Sequence, residues 1–594
     1  MTGLFEVGRL SRTAGPSIAD SNPVSAVEGC AWREQMGLCS GHRTRGPDVM
    51  RCRMWLIAFL LTMPAASQAQ APLAMHDHAA MERLGSVHFE TSCKREAQTR
   101  FDRAVALMHS FQFGRAIDGF HSAIEVDPGC AIAYWGIALS SWSNPFAGFK
   151  SPLQLAQGLQ AVNQGRAAAA KTKRERAYIE AVAQLYTDTL HRDQRTRALA
   201  YETAMEQVAR EYPDDTEATI FYALALAAAA DPADKMYAKQ LKAGAMLEHL
   251  FAKYPDHAGL AHYIIHAYDE PALASRAVEA ARRYGQIAPS TPHALHMPSH
   301  TFTRIGEWQA SIDTNLASAS AARTAGQPAD ELHASDYMVY AYLQTGQDVA
   351  AKRWVDKAAQ TFSRFNPAAA NGAAPASAAY FARAAIPARY CLERRDWACA
   401  EKLVTVPSKF PFADATTYFA RGLGAAHAGD AVAARAAMSS LDQVHDKLAG
   451  MGEDYWTGQI DIQRRAVAAT LAFVQGNVAD ALVGMRMAAE FEDKSELSSV
   501  TPGPLVPARE MLGEMMLSLK RPEDALNEFK ASLVQEPNRF WSLLGAAEAA
   551  KMAGGIPGAC AYFNKLFVMT QRADRPGRQA LAEAHENARS KRCP

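Results

Sequence analysis

Small and apolar residues return along most of this chain with a period of 34 residues. Within each unit, small or apolar residues stand at positions 8, 20 and 27, and large apolar ones at 4, 7, 11 and 24, with proline near 32. Residues 97–130 show the pattern through Ala104, Leu107, Ala116, Phe120, Ala123 and Pro128. Residues 258–291 show it through Ala277, Ala281 and Pro289, and residues 506–539 through Leu512, Gly513, Met516, Ala525, Phe529 and Pro537. Steps of three and four keep such residues on one face of a helix. Small residues at 8 and 20 let two antiparallel helices approach closely, and the proline ends the second. Weaker units fall at 131–170, 175–213, 216–256, 292–325, 332–365, 379–410, 415–446, 460–494 and 540–573. The pattern predicts an all-α, right-handed solenoid of about twelve helical hairpins between residues 85 and 575, with no sheet.

This register resembles that of tetratricopeptide proteins. More narrowly, the chain resembles a group of exported bacterial tetratricopeptide proteins. The stretches that carry the likeness are Leu107-Met-His-Ser-Phe111, Asp127-Pro-Gly-Cys-Ala-Ile-Ala-Tyr-Trp-Gly136, His293-Ala-Leu-His-Met-Pro-Ser-His300 and Val500-Thr-Pro-Gly-Pro-Leu-Val-Pro-Ala-Arg-Glu510. The resemblance implies the fold and export, and it brings no catalytic residues. The repeat pattern and its interruption divide the chain into an N-terminal array at 85–365, a flexible Pro/Ala/Asn loop at 366–378, a C-terminal array at 379–575 and a tail at 576–594. Residues 494–507, rich in proline and glycine, read as a rigid lead-in to the last full repeats.

The start of the chain reads differently. Residues 50–69 have a basic beginning, a short apolar run and the small-residue sequence Ser67-Gln68-Ala69, which together predict a secretory signal peptide with cleavage after Ala69. Its apolar run is too short to span a bilayer. Residues 1–49 are polar and aperiodic, and are expected to be an upstream extension from a misassigned start, with Met50 the true one. The mature chain would then open with a flexible stretch at 70–84, carry no transmembrane segment and reside in the periplasm or outside the cell.

Export changes how the cysteines read. Cleavage leaves six: Cys93, Cys130, Cys391, Cys399, Cys560 and Cys593. An even number in an oxidising compartment suggests disulfides. Cys93 precedes the first helix of its hairpin and Cys130 follows the second, so antiparallel packing brings them together. Cys391 and Cys399 fall at positions 11 and 19, across a short turn, which leaves Cys560 with Cys593. No CxxC pair occurs, so neither a thioredoxin-type site nor a thiolate zinc site is indicated.

The candidate chemistry lies with histidine. Seven of the chain's 18 histidines fall between residues 257 and 333, where even spacing would place about two. His262 and His266 occupy positions 5 and 9 of their unit, with Asp269 at 12. His293, His296 and His300 occupy positions 2, 5 and 9 of the next, followed by His333 at 2 and Asp336 at 5. Positions 2, 5, 9 and 12 line the concave face of such repeats, so His262, His266, His296 and His300 are expected to meet there. A mostly imidazole set suits zinc, copper or nickel better than magnesium or calcium. The alternative is that these histidines hydrogen-bond across the groove or form a polar stripe that binds a peptide carboxylate. Pro298, at position 7, predicts a kink or a late helix start that would move His296 off the stripe. A second metal candidate is Met75-His76-Asp77-His78 with Met81.

His262-Tyr-Ile-Ile-His266 has the spacing of a zinc protease motif, but Tyr263 stands where the general-base glutamate belongs. No nucleophile–base pair or phosphate loop appears, so a metal-dependent hydrolase is the least favoured reading and no enzymatic activity is assigned. The N-terminal units place Phe101, Val105, Met108, Trp135, Leu139 and Trp142 at groove positions, a candidate anchor for a peptide or helix. The competing reading is that the segment before residue 97 folds back over them. Lys171-Thr-Lys-Arg-Glu-Arg176 reads as a solvated helix start. With 62 basic and 62 acidic residues there is no electrostatic support for a nucleic-acid partner. The leading expectation is an exported scaffold that binds a protein or peptide in its groove. The alternative is a zinc- or copper-binding version of the same scaffold.

Overall fold

A computed structural model describes residues 82–594 apart from 232, 368–371, 496–497, 591–592 and 594. The extension, the signal peptide and the Met75–Met81 candidate therefore lie outside the described residues, as do most of the stretch at 70–84 and part of the loop at 366–378.

Helices pair in chain order into twelve antiparallel hairpins, from Arg95–His109 with Phe113–Val126 to Phe540–Met552 with Ile556–Met569. No strand occurs among the described residues. The protein is a tetratricopeptide-like α-solenoid. Close packing rests on the small residues: Ala104, Ala116 and Ala123 are fully buried in the first hairpin, and Phe120 packs against Gly136 of the next. Residues 576–594, expected as a tail, instead carry one more helix, Gln579–Ala588, which buries Leu581 and Ala584 against the last hairpin. None of the described helices is long and apolar enough to cross a membrane. The six cysteines among the described residues stand in three pairs at disulfide distance, with Cα separations of 4.9 Å for Cys93 and Cys130, 5.5 Å for Cys391 and Cys399, and 5.1 Å for Cys560 and Cys593.

The array does not leave its concave side open in the middle. The Pro/Gly-rich segment before Ala508 is a plug rather than a lead-in. A prolyl residue has no N–H, so this segment presents mainly carbonyl acceptors. Buried arginines meet them: Arg304 donates to the Pro502 carbonyl at 2.8 Å, and Arg389 to those of Gly503 at 2.9 Å and Pro504 at 3.1 Å. Farther along, Trp308 Nε1 donates to the Asn538 carbonyl at 2.8 Å. Gly306, at φ +72°, lies so close to the Pro537 carbonyl that a Cβ there would collide with it.

The N-terminal segment closes the other end of the groove. It runs extended from Arg83, whose N–H reaches Ser290 Oγ at 2.8 Å, to Phe89, whose ring centroid lies 5.3 Å from Phe101 and 5.1 Å from Trp135. Leu84 is already buried, so the packed chain begins before residue 85.

Candidate metal centre

Helix Ala258–Ala267 supplies His262 and His266, one turn apart on the same face. The next inner helix is interrupted at Met297, giving Pro292–His296 and Pro298–Arg304. Pro298 removes one donor, but Met297 keeps helical angles, φ −53° and ψ −35°, so the axis continues. His296 therefore stays in line with His300, against the expected displacement. Helix Pro328–Gln344 contributes His333.

The six rings are buried, none more than 8 % exposed, and they form two sets rather than one. His262, His266 and His293 make the first, and His296, His300 and His333 the second; within each set the ligand nitrogens lie within 4.8 Å of one another. The expected quartet of His262, His266, His296 and His300 is thus divided, each i, i+4 pair being completed by a histidine from the following hairpin. The rotation between successive hairpins decides this.

Hydrogen bonding fixes the tautomers of His296 and His300 in the second set. Asn315 donates its Nδ2 to the Ser311 carbonyl at 2.8 Å, so its Oδ1 must accept the proton of His296 Nδ1 at 2.7 Å. Asp269 Oδ2 accepts from His300 Nδ1 at 2.7 Å. Both rings then turn Nε2 lone pairs toward one another at 3.1 Å, an arrangement that requires a cation or an added proton between them. In the first set, His262 donates Nδ1–H to the His109 carbonyl at 2.6 Å and directs its Nε2 to that of His293 at 3.0 Å. His266 Nε2 and His333 Nδ1 are buried without a hydrogen-bond partner. Burial pushes the pKa of His262 and of His333 down to about 3, and those of His266, His293 and His296 well below the ordinary value. These rings are held neutral, the form that ligates metals.

Both carboxylates expected as ligands have partners outside the gap between the rings, although Asp336 Oδ2 is buried without one. Asp269 is a support: it accepts from His300 and, at 3.1 Å, from Arg304 Nε. Burial would raise its pKa, but Arg304 and His300 outweigh that and hold it low. Asp336 pairs with Arg389 instead.

A third cluster, which the sequence reading missed, joins two more buried histidines to a carboxylate. Glu217 accepts from His109 Nε2 and His257 Nε2, both at 2.9 Å, and His109 Nδ1 takes the Tyr263 hydroxyl at 3.0 Å. Its ligand atoms also lie within 4.8 Å of one another, His257 Nδ1 is buried without a hydrogen-bond partner, and the cluster docks the first hairpin onto the array. His109 lies in the Leu107–Phe111 stretch already singled out, but nothing local in the sequence marks its partners. Phe111 of the same stretch has φ +53°, where comparable turns use Gly306, Gly326 and Gly346. The strained turn sends its ring among His262, His266 and His293, with centroids 4.4–5.5 Å away.

The expected partner anchors also need correction. Phe101 and Trp135 are sealed under Phe89, as in the fold-back reading, so no open apolar groove runs through them. Met108, Leu139 and Trp142 instead line a cavity of about 240 Å³, with Phe149 also on its wall.

No protein-family model and no curated protein sequence matches the chain. Among solved structures it is similar to the human IFIT1 dimer with m7Gppp-AAAA, at 10% identity over 75% of this chain and 90% of that one, with a TM-score of 0.36. It is also similar to Naa15/Naa10 bound to HypK-THB, at 10% identity over 83% and 73%, with a TM-score of 0.22.

Proposed function

We infer that this is an exported helical-repeat protein whose middle repeats hold a transition metal, copper or zinc, in an all-imidazole core. The observation that carries the reading is the pair of Nε2 lone pairs on His296 and His300, 3.1 Å apart, with both Nδ1 protons already committed. Leaving buried polar nitrogens opposed or unpartnered costs about 1–3 kcal/mol each. A bound ion removes that cost at several rings together. Copper and zinc suit neutral imidazole, and sets made of three histidines each disfavour magnesium and calcium. The signal-like stretch at 50–69 and the three cysteine pairs support an oxidising compartment.

The test is elemental analysis of the purified protein before and after chelation, with melting temperature followed as Zn²⁺ or Cu²⁺ is restored. Retained metal, with a melting temperature that falls on chelation and recovers on return of the ion, is expected. Protein that keeps neither metal and melts identically with and without chelator overturns the reading.

The cavity lined by Met108, Leu139 and Trp142 favours a second reading, a scaffold that takes an apolar side chain of a protein or peptide partner. Substituting Leu139→Gln would weaken such capture without altering metal content.

A further inference from the structure

We propose that the histidine core is a tandem site for two metal ions, one in each three-histidine set; this rests on the metal reading above and adds stoichiometry and architecture to it. The grounds are the repeat register and the partition of the rings. In the first set, His262 and His266 stand at positions 5 and 9 of one unit and His293 at position 2 of the next. In the second set, His296 and His300 stand at positions 5 and 9 and His333 again at position 2 of the unit that follows. The same three register positions therefore build the same trio at two successive hairpin junctions. In a solenoid each junction repeats the geometry of the one before, so a site made of positions 5, 9 and 2 is copied with the repeat.

The spacing fits two ions better than one. Metal–imidazole bonds are ~2.0–2.1 Å, which places two nitrogens on a shared ion ~3.0–3.4 Å apart. Each set contains one Nε2–Nε2 pair at that spacing, His262 with His293 at 3.0 Å and His296 with His300 at 3.1 Å. Across the sets, the ring centroids of His266 and His300 are 6.3 Å apart and those of His293 and His296 are 6.1 Å apart, no farther than His266 and His293 at 6.4 Å within one set. The partition therefore rests on the ligand nitrogens, which converge to within 4.8 Å of one another in each set, and the two ions would be close neighbours. Each set also holds one buried nitrogen with no hydrogen-bond partner, Nε2 of His266 in the first and Nδ1 of His333 in the second. One ion would satisfy one set and leave the other orphaned.

The run ends where the residues change. The following unit carries Asp336 at position 5 and Tyr340 at position 9, and there an ion pair from Asp336 to Arg389 replaces the imidazoles. Support for the rings differs between the copies: a backbone carbonyl of His109 orients His262, whereas Asn315 and Asp269 orient the second set. The two sites are thus alike in ligands and unlike in strength, the carboxylate-supported one being the tighter.

The experiment is stoichiometry. The full chain is stripped with chelator, reloaded separately with Zn²⁺ and with Cu²⁺, freed of loose ions by gel filtration, and assayed for metal per chain. Two equivalents of either ion are expected, falling to one in His293→Leu and to one in His333→Leu, with circular dichroism confirming the fold of each variant. One equivalent in the wild-type chain overturns the tandem site and leaves the single-metal reading standing. No retained ion overturns both. Should a variant fail to fold, the wild-type stoichiometry decides alone.

Discussion

Asp336 Oδ1 accepts from Arg389 Nε at 2.9 Å, and neither side chain is exposed to solvent. The remaining Arg389 donors go to Thr501 Oγ1 at 2.7 Å and to the carbonyls of Gly503 and Pro504. One carboxylate thus anchors the arginine that holds the plug in the groove. Burial pushes the Asp336 pKa up and Arg389 opposes the rise. The pair explains why a residue at a groove position beside His333 belongs to the scaffold and not to the metal set.

Asp336→Asn would leave the Arg389 charge buried with its partner neutralised. Breaking a buried pair from one side costs about 3–5 kcal/mol. The variant is expected to melt at a clearly lower temperature while its folded fraction keeps the full metal content. A normal melting temperature with lost metal would make Asp336 a ligand after all.

Glu492 gives a pH dependence with a definite sign. Its carboxyl is half-buried beside the plug, accepts the Ala508 N–H at 2.7 Å, and has its pKa pushed up to about 8, chiefly by desolvation. An unfolded glutamate titrates near ~4.3. Between those values the folded state binds the extra proton, so stability falls as pH rises from about 4.3 to 8. Glu492→Gln keeps an acceptor for Ala508 and removes the titration. It is expected to match wild type near pH 5 and to melt several degrees higher near pH 8; parallel melting profiles across that range would refute the assignment.

Gly259 tests how the first hairpin docks. A Cβ there would collide with the ring of His109, whose partners are Glu217 and Tyr263. Gly259→Ala should cost about 1–3 kcal/mol through overpacking. Because the His109 carbonyl orients His262, the change should also weaken metal binding in the first set. Unchanged proteolytic susceptibility of residues 82–126 would show that the hairpin absorbs the methyl group without loss.

The sequence displays the solenoid because its packing is local: Ala104, Ala116 and Ala123 lie within one hairpin, and a 34-residue repeat writes the same constraint again and again. The histidine register was legible for the same reason, since positions 2, 5 and 9 share a face. Their division into two sets was not, because it depends on the rotation between hairpins, which no single unit encodes. Nor was the filled groove. Arg304 with Pro502 and Trp308 with Asn538 join residues about two hundred positions apart, and nothing periodic marks such pairs. The same reason leaves Phe101 and Trp135 open to two readings in the sequence: their apolar character is plain, but the segment that covers them carries no repeat signature.

Asp269 separates support from ligation. Its two oxygens accept from His300 Nδ1 and Arg304 Nε, so it fixes one imidazole and is fixed in turn by the arginine that also holds the Pro502 carbonyl. An asparagine in its place can accept from only one of these donors through its single carbonyl oxygen. Freed from the carboxylate, His300 becomes less basic at Nε2 and can rotate. Loss of such a supporting contact typically lowers metal affinity about 10–100-fold. Asp269→Asn is therefore expected to weaken the His296, His300 and His333 set by that amount while leaving the His262, His266 and His293 set near its wild-type affinity. Competition titration with a chromogenic chelator resolves the two, since only one of two equivalents should become readily extractable. Equal weakening of both equivalents would mean that Asp269 acts through the general stability of the core and not through the orientation of His300.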